Sequence, residues 1–104
     1  MSIFNGYMQV QLKTLGAHKP RTFYTEDWAD DKKRKKILGK PRTFSVTIHL
    51  FNTAGQSAVE TIPLPCKGDL LTLSRLIKDQ VTRMMKENPY QEFDLVNSVA
   101  NVRV

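Results

Sequence analysis

Between Arg42 and Asn52 apolar and polar side chains alternate without a break. Phe44, Val46, Ile48 and Leu50 fall on one side, and Thr43, Ser45, Thr47, His49 and Phe51 on the other. A period of two sustained this long specifies a half-buried strand. Such a strand needs lateral partners and a cover on its apolar side, so it commits the chain to a sheet with one packed face.

The cover is legible as well. From Asp69 to Asn88, Leu70, Leu73, Ile77, Val81 and Met84 recur at helical spacing, with Leu76 and Met85 widening the stripe. Asp69 suits an N-cap, and Asn88-Pro89 stops the helix. Arg75, Lys78, Asp79, Arg83 and Lys86 occupy the remaining face. Further strands are expected at Tyr7 to Leu15, at Arg21 to Tyr24, at Ser57 to Leu64 after the turn Asn52 to Gln56, and within Phe93 to Val104. Pro63 and Pro65 end the Ser57 strand or place it at a sheet edge. The fold class is therefore α+β: an antiparallel sheet of four to five strands with one long amphipathic helix at about 69–88 packed on one face. The outer face carries the polar and aromatic side chains. A chain of 104 residues makes one domain, residues 1–104, able to bury one modest core.

Residues 25–40 admit two readings. Thr25 can cap a helix, acids cluster at its start, Lys32 to Lys36 lie near its end, and Gly39 and Pro41 stop it. Only Trp28, Ala29, Ile37 and Leu38 are apolar, and they form no stripe. The balance falls on a long loop with a basic tip, with a short helix as the alternative. Trp28 is either the anchor of this segment in the core or an exposed partner-binding residue.

Charge divides the chain unequally. Residues 1–44 hold ten Lys/Arg and four Asp/Glu, whereas residues 45–104 hold six of each. The pentapeptide Lys-Pro-Arg-Thr-Phe occurs twice, at Lys19 to Phe23 and at Lys40 to Phe44. A cationic surface with interleaved aromatics suits a polyanion, and single-stranded nucleic acid most of all: Arg and Lys follow the phosphates while bases stack on rings. The candidate phosphate contacts are Lys19, Arg21, Lys32, Lys33, Arg34, Lys35, Lys36, Lys40 and Arg42. The stacking candidates are Phe23, Tyr24 and Phe51. Alternation assigns Phe44 to the core and makes Phe51 a candidate on the outer face.

Catalysis finds no support in the residue pattern. The acids Glu26, Asp27, Asp30 and Asp31 sit beside five cations, His18 and His49 are isolated, and there is no Gly-rich phosphate loop. A single cysteine, Cys66, rules out an internal disulfide and a multi-cysteine zinc site, and reads as a packed thiol. No cofactor or metal is expected. No apolar run approaches the about 18 residues that cross a bilayer, and the start of the chain lacks signal-peptide character. The expectation is a soluble, cytoplasmic protein without membrane contact. Small size, a basic half and no catalytic chemistry would suit a viral or mobile-element protein. The many leucines of the 69–88 helix allow a homodimer. The alternatives to nucleic-acid binding are a small inhibitor or adaptor docking on a host protein through Trp28 and the charged segment, and a structural assembly subunit joined at sheet edges.

Overall fold

The computed structural model describes residues 4–104. Five strands form one sheet: β1 (Met8–Gln11), β2 (Thr22–Tyr24), β3 (Arg42–Phe51), β4 (Ser57–Cys66) and β5 (Val99–Arg103), in the spatial order β2-β1-β5-β3-β4. Every pairing is antiparallel. Two helices, α1 (Asp31–Gly39) and α2 (Leu70–Lys86), complete an α+β fold. The last strand in sequence lies at the centre, between β1 and β3.

The alternation in β3 settles which face is packed. Phe44, Val46, Ile48 and Leu50 are buried, joined by Met8 and Val10 from β1 and Ala100 and Val102 from β5. Helix α2 lays Leu73, Ile77, Val81 and Met84 into the same core. Asp69 caps it by accepting from the Thr72 amide at 2.8 Å. Of the remaining apolar residues on α2, Leu70 and Met85 pack against the core, and Leu71 and Leu76 are half-buried. The surplus that allowed a second copy is largely taken up within the chain.

Three segments differ from their sequence expectation. The first strand stops at Gln11, because Leu12–Thr14 wind into a 3-10 turn that keeps Leu12 buried and lets the Thr14 hydroxyl donate to the Gln11 carbonyl at 2.8 Å. The terminal strand begins only at Val99; before it, Phe93 and Leu95 pack against the core from irregular chain. β4 runs on through Pro63 and Pro65 to Cys66. It is an edge strand with both prolines exposed, where a missing N–H breaks no ladder bond. The prolines at this edge and the three-residue length of β2 at the other blunt both edges against strand addition.

Residues 25–40 are helical, not a loop. A 3-10 turn (Glu26–Ala29) leads into α1. The cap is Asp30, whose carboxylate accepts from the Lys33 amide at 3.1 Å. Thr25 instead joins this segment to β1: its hydroxyl accepts from the Tyr7 amide at 2.9 Å. Asp31 pairs with Arg34 at 2.7 Å and with Lys35 at 3.2 Å, one helical turn on. What the thin apolar content concealed is Trp28. It is fully buried, its ring tilted against Phe44 at 6.1 Å between centroids, and Ile37 enters the core beside it.

Burying an indole of about 150–250 Å² at about 25 cal/mol per Å² contributes about 4–6 kcal/mol. Its Nε1 finds no acceptor among the described residues, which costs about 1–3 kcal/mol; the ring outweighs the orphaned N–H. Gly6 makes the close passage possible. Its φ is +90°, and a Cβ there would lie 2.5 Å from the Thr25 carbonyl oxygen. We expect Trp28→Ala to cost about 3–5 kcal/mol, read as a lowered urea midpoint. The far-UV circular dichroism of the remaining folded fraction should show loss of α1 helicity.

Candidate nucleic-acid interface

All of the fully buried sheet side chains point to the α2 side, and none on the opposite face is fully buried. The outer face is therefore open, and strand register places its residues in rows. Phe23, Gln9, Asn101, Thr47 and Thr61 cross all five strands in one line. Within it the Gln9 amide donates to Asn101 at 3.0 Å, and the Thr47 and Thr61 hydroxyls meet at 3.0 Å. The adjoining row is Gln11, Val99, His49 and Val59. The row on the other side holds Arg103, Ser45 and Pro63, with the Arg103 guanidinium 5.0 Å over the Tyr7 ring. No carboxylate stands on these rows; Glu60, the acid of β4, faces α2 and accepts from Gln80 at 2.6 Å. Phe23 at 58% exposure and Val59 at 57% mark the two margins. Phe51 lies on the same face, half-buried, at its far end.

The cations divide by helical and strand geometry. α1 turns Lys33, Lys36 and Lys40 toward the start of β3, where with Arg42 and Phe4 they line a cleft of about 450 Å³. The Arg42 guanidinium lies 5.5 Å over the Phe4 ring. Lys32 and Lys35 are exposed on the helix but do not line the cleft. Two further depressions lie next to it in the direction of the open face. The first is bounded by Arg42, Thr43, Pro65 and Lys67, and the second by Thr43, Ser45, Thr61 and Val104. Arg42 belongs to the cleft and the first, Thr43 to the first and the second. The three depressions are thus neighbours in series around the end of the sheet, from α1 to the outer face.

Several candidates are placed differently from expectation. Arg34 turns inward: its guanidinium sits 4.2 Å over the Tyr24 ring and donates to the Trp28 carbonyl and to Asp31. Tyr24 pairs with Met8 on the packed side, so this ring is covered, not free to stack. Alternation along β2 allows only one of Phe23 and Tyr24 to face out, and it is Phe23. Lys19 and Arg21 precede β2, beside the Leu12–Thr14 turn, and do not join the α1 cluster; the Arg21 amide donates to the Thr14 hydroxyl at 2.9 Å. Trp28, by contrast, is the core anchor that one of its two readings expected, and it is unavailable to a partner. Tyr7, Arg103 and Lys67 were missed, because they lie outside the basic run. The pattern that marks Tyr7 and Arg103 is the period of two in the flanking strands, which sets Tyr7 with Gln9 and Arg103 with Asn101.

Nearby carboxylates neutralise part of the charge. Lys33 pairs with Asp27 at 3.0 Å, and Asp31 engages Arg34 and Lys35. The Asn5 amide, at 2.7 Å, and then the Lys33 ammonium hold the Asp27 carboxyl below its ordinary value. Asp27 in turn raises Lys33. Lys36, Lys40 and Arg42 have no carboxylate partner among the described residues. Burial, and secondarily Asp69, pushes the Cys66 thiol up, away from a reactive thiolate. No helix among the described residues is long and apolar enough to cross a membrane.

Comparison with protein-family models, with curated proteins and with solved structures gave no match.

Because the folded Asp27 value is depressed, its contribution to stability is complete above 3.8, the ordinary carboxyl value, and is lost as pH falls through the lowered folded value. Asp27→Asn removes this dependence. The melting-temperature gap between wild type and variant should therefore be widest above pH 3.8 and close on acidification, as read by thermal unfolding across the acid range.

Proposed function

We propose that the protein binds nucleic acid without catalysis, with single strands favoured, across its open sheet face and the cationic groove beside it. The observation that carries this reading is a face whose rows hold no Asp or Glu side chain, adjoining depressions edged by Lys36, Lys40, Arg42 and Lys67, with Arg103 on the face itself. Phe23 and the Tyr7–Arg103 pair supply planar surfaces for bases, while amides and hydroxyls of the central row supply adaptable hydrogen bonds. Sheet faces of this kind stack about two or three unpaired bases. A paired duplex keeps its bases stacked inside and offers such a face only its backbone, which is the physical ground for preferring single strands.

Fluorescence polarisation with single-stranded and duplex oligonucleotides at several salt concentrations tests the reading. With four phosphates neutralised, the log–log salt slope for a single strand should be about −3, from about −0.7 per phosphate. Phe23→Ala should weaken single-strand binding by about 1–3 kcal/mol while leaving the salt slope unchanged. Charge reversal at Lys36 and Lys40 should lower the slope instead. Failure of every oligonucleotide to bind at low salt ends the reading.

A further inference from the structure

We propose that the cleft between α1 and the start of β3 is a phosphomonoester site, and that its ligand is the phosphorylated end of a strand lying on the open face. This rests on the reading above for the strand and adds which end chemistry the protein prefers.

Among the described residues the cleft is lined by Lys33, Lys36, Lys40 and Arg42, all cationic, and by Phe4. Lys33 is neutralised by Asp27, leaving three positive groups around one concavity with no carboxylate among the described residues to offset them. Like charges gathered this way repel, and a dianion relieves more of that repulsion than a monoanion does.

Arg42 is prepared for an anion and only partly used. Stacking on Phe4 fixes the plane of its guanidinium. One terminal nitrogen makes a long 3.4 Å bond to the Lys36 carbonyl. Its Nε is shut off from solvent and has no acceptor among the described residues, so the terminal nitrogens are the ones that can meet a ligand. A guanidinium carries five N–H donors in a planar fork that matches two phosphate oxygens. The ammonium groups of Lys36 and Lys40 can reach the remaining oxygens.

The position of the cleft separates a strand end from a strand interior. Of three neighbouring depressions it is the one lined by no described outer-face residue; the second shares Arg42 with it, and the third shares Thr43 with the second. An internal phosphodiester carries one negative charge and two free oxygens. A terminal monoester carries about −1.5 to −2 at neutral pH and three acceptor oxygens, which suits the larger number of donors here. At about 450 Å³ the cleft lies within the range of about 300–1,000 Å³ of small-ligand sites, enough for one terminal nucleotide.

The test is a polarisation competition among three oligonucleotides of one sequence: 5′-phosphorylated, 3′-phosphorylated, and hydroxyl at both ends. One phosphorylated form should bind roughly ten-fold tighter than the hydroxyl form, the scale of one charge-assisted hydrogen bond. That preference should vanish in Arg42→Gln and in the surface double variant Lys36→Glu/Lys40→Glu, which leaves the Phe4 stack intact. It should also fade below a pH of about 6, where the monoester takes up its second proton. Phe23→Ala should weaken all three forms equally. Equal wild-type affinity for the three forms overturns the phosphomonoester site while leaving the open-face reading standing. If no oligonucleotide binds, the open-face reading fails and the strand end with it. The monoester site itself is then upheld if adenosine 5′-monophosphate raises the melting temperature of wild type but not of Arg42→Gln, and overturned if it shifts neither.

Discussion

A single buried indole decides where the charge of this protein goes. The segment Glu26 to Lys40 has little else to hold it: Ile37 and Leu38 are its other apolar contacts with the core. Trp28 against Phe44 seats the 3-10 turn on the packed side of the sheet, and α1 follows from that seat. Arg34 fastens the arrangement by reaching back to the Trp28 carbonyl across the Tyr24 ring. Only with the helix axis held in this way do Lys33, Lys36 and Lys40 meet Arg42 of β3. A mobile loop would spread the same cations over solvent, where mutual repulsion drives them apart.

The second consequence of that seat is what it leaves bare. Both helices and the Trp28 turn lie on the face of the sheet lined by Phe44, Val46, Ile48 and Leu50, and no side chain of the other face is fully buried among the described residues. An open antiparallel face is stable when its side chains are content in water, and the central row of Gln9, Asn101, Thr47 and Thr61 pairs with itself across strands. Such pairs are weak and can be exchanged for those of a ligand at small net cost, whereas Phe23 is left with most of its ring in water. A face rich in amides and hydroxyls, with no Asp or Glu side chain on its rows and cations at its edge, suits a phosphate backbone.

The sheet and α2 were legible because each is set by a period: two in Phe44 to Leu50, and the 3–4 repeat from Leu70 to Met84. Those periods place side chains relative to a face without knowledge of the rest of the molecule. Residues 25–40 were less legible because their stability comes from capping, ion pairs and one aromatic anchor, not from a stripe. The same segment shows why the basic run misleads as a unit. Five adjacent cations on a helix point around most of a turn, so Arg34 faces the core, Lys33 and Lys36 the cleft, and Lys32 and Lys35 away from it. The repeated pentapeptide misleads for a related reason. Phe23 lies outward on β2 and Phe44 inward on β3, while Arg21 and Arg42 sit in different places, so identical sequence carries different roles. Arg103 and Tyr7 could be joined only by strand order, because β5 enters the sheet beside β1 from the other end of the chain.

The acids beside the cations fit this arrangement. Asp27 and Asp31 hold Lys33, Arg34 and Lys35 through pairs whose members are mostly solvent-exposed. Each of these contacts is a charge-assisted hydrogen bond or ion pair that water screens where its members are exposed. A phosphate that reaches Lys33 offers the same class of bond as Asp27 and competes with it for the ammonium group. Arg34 is different, since its stack on Tyr24 and its bond to the Trp28 carbonyl are structural and would be broken as well. The carboxylates thus divide the basic run by energy as the helix divides it by direction. Lys33 stays exchangeable and joins Lys36, Lys40 and Arg42 in the cleft, while Arg34 is committed to holding α1 where the cleft requires it.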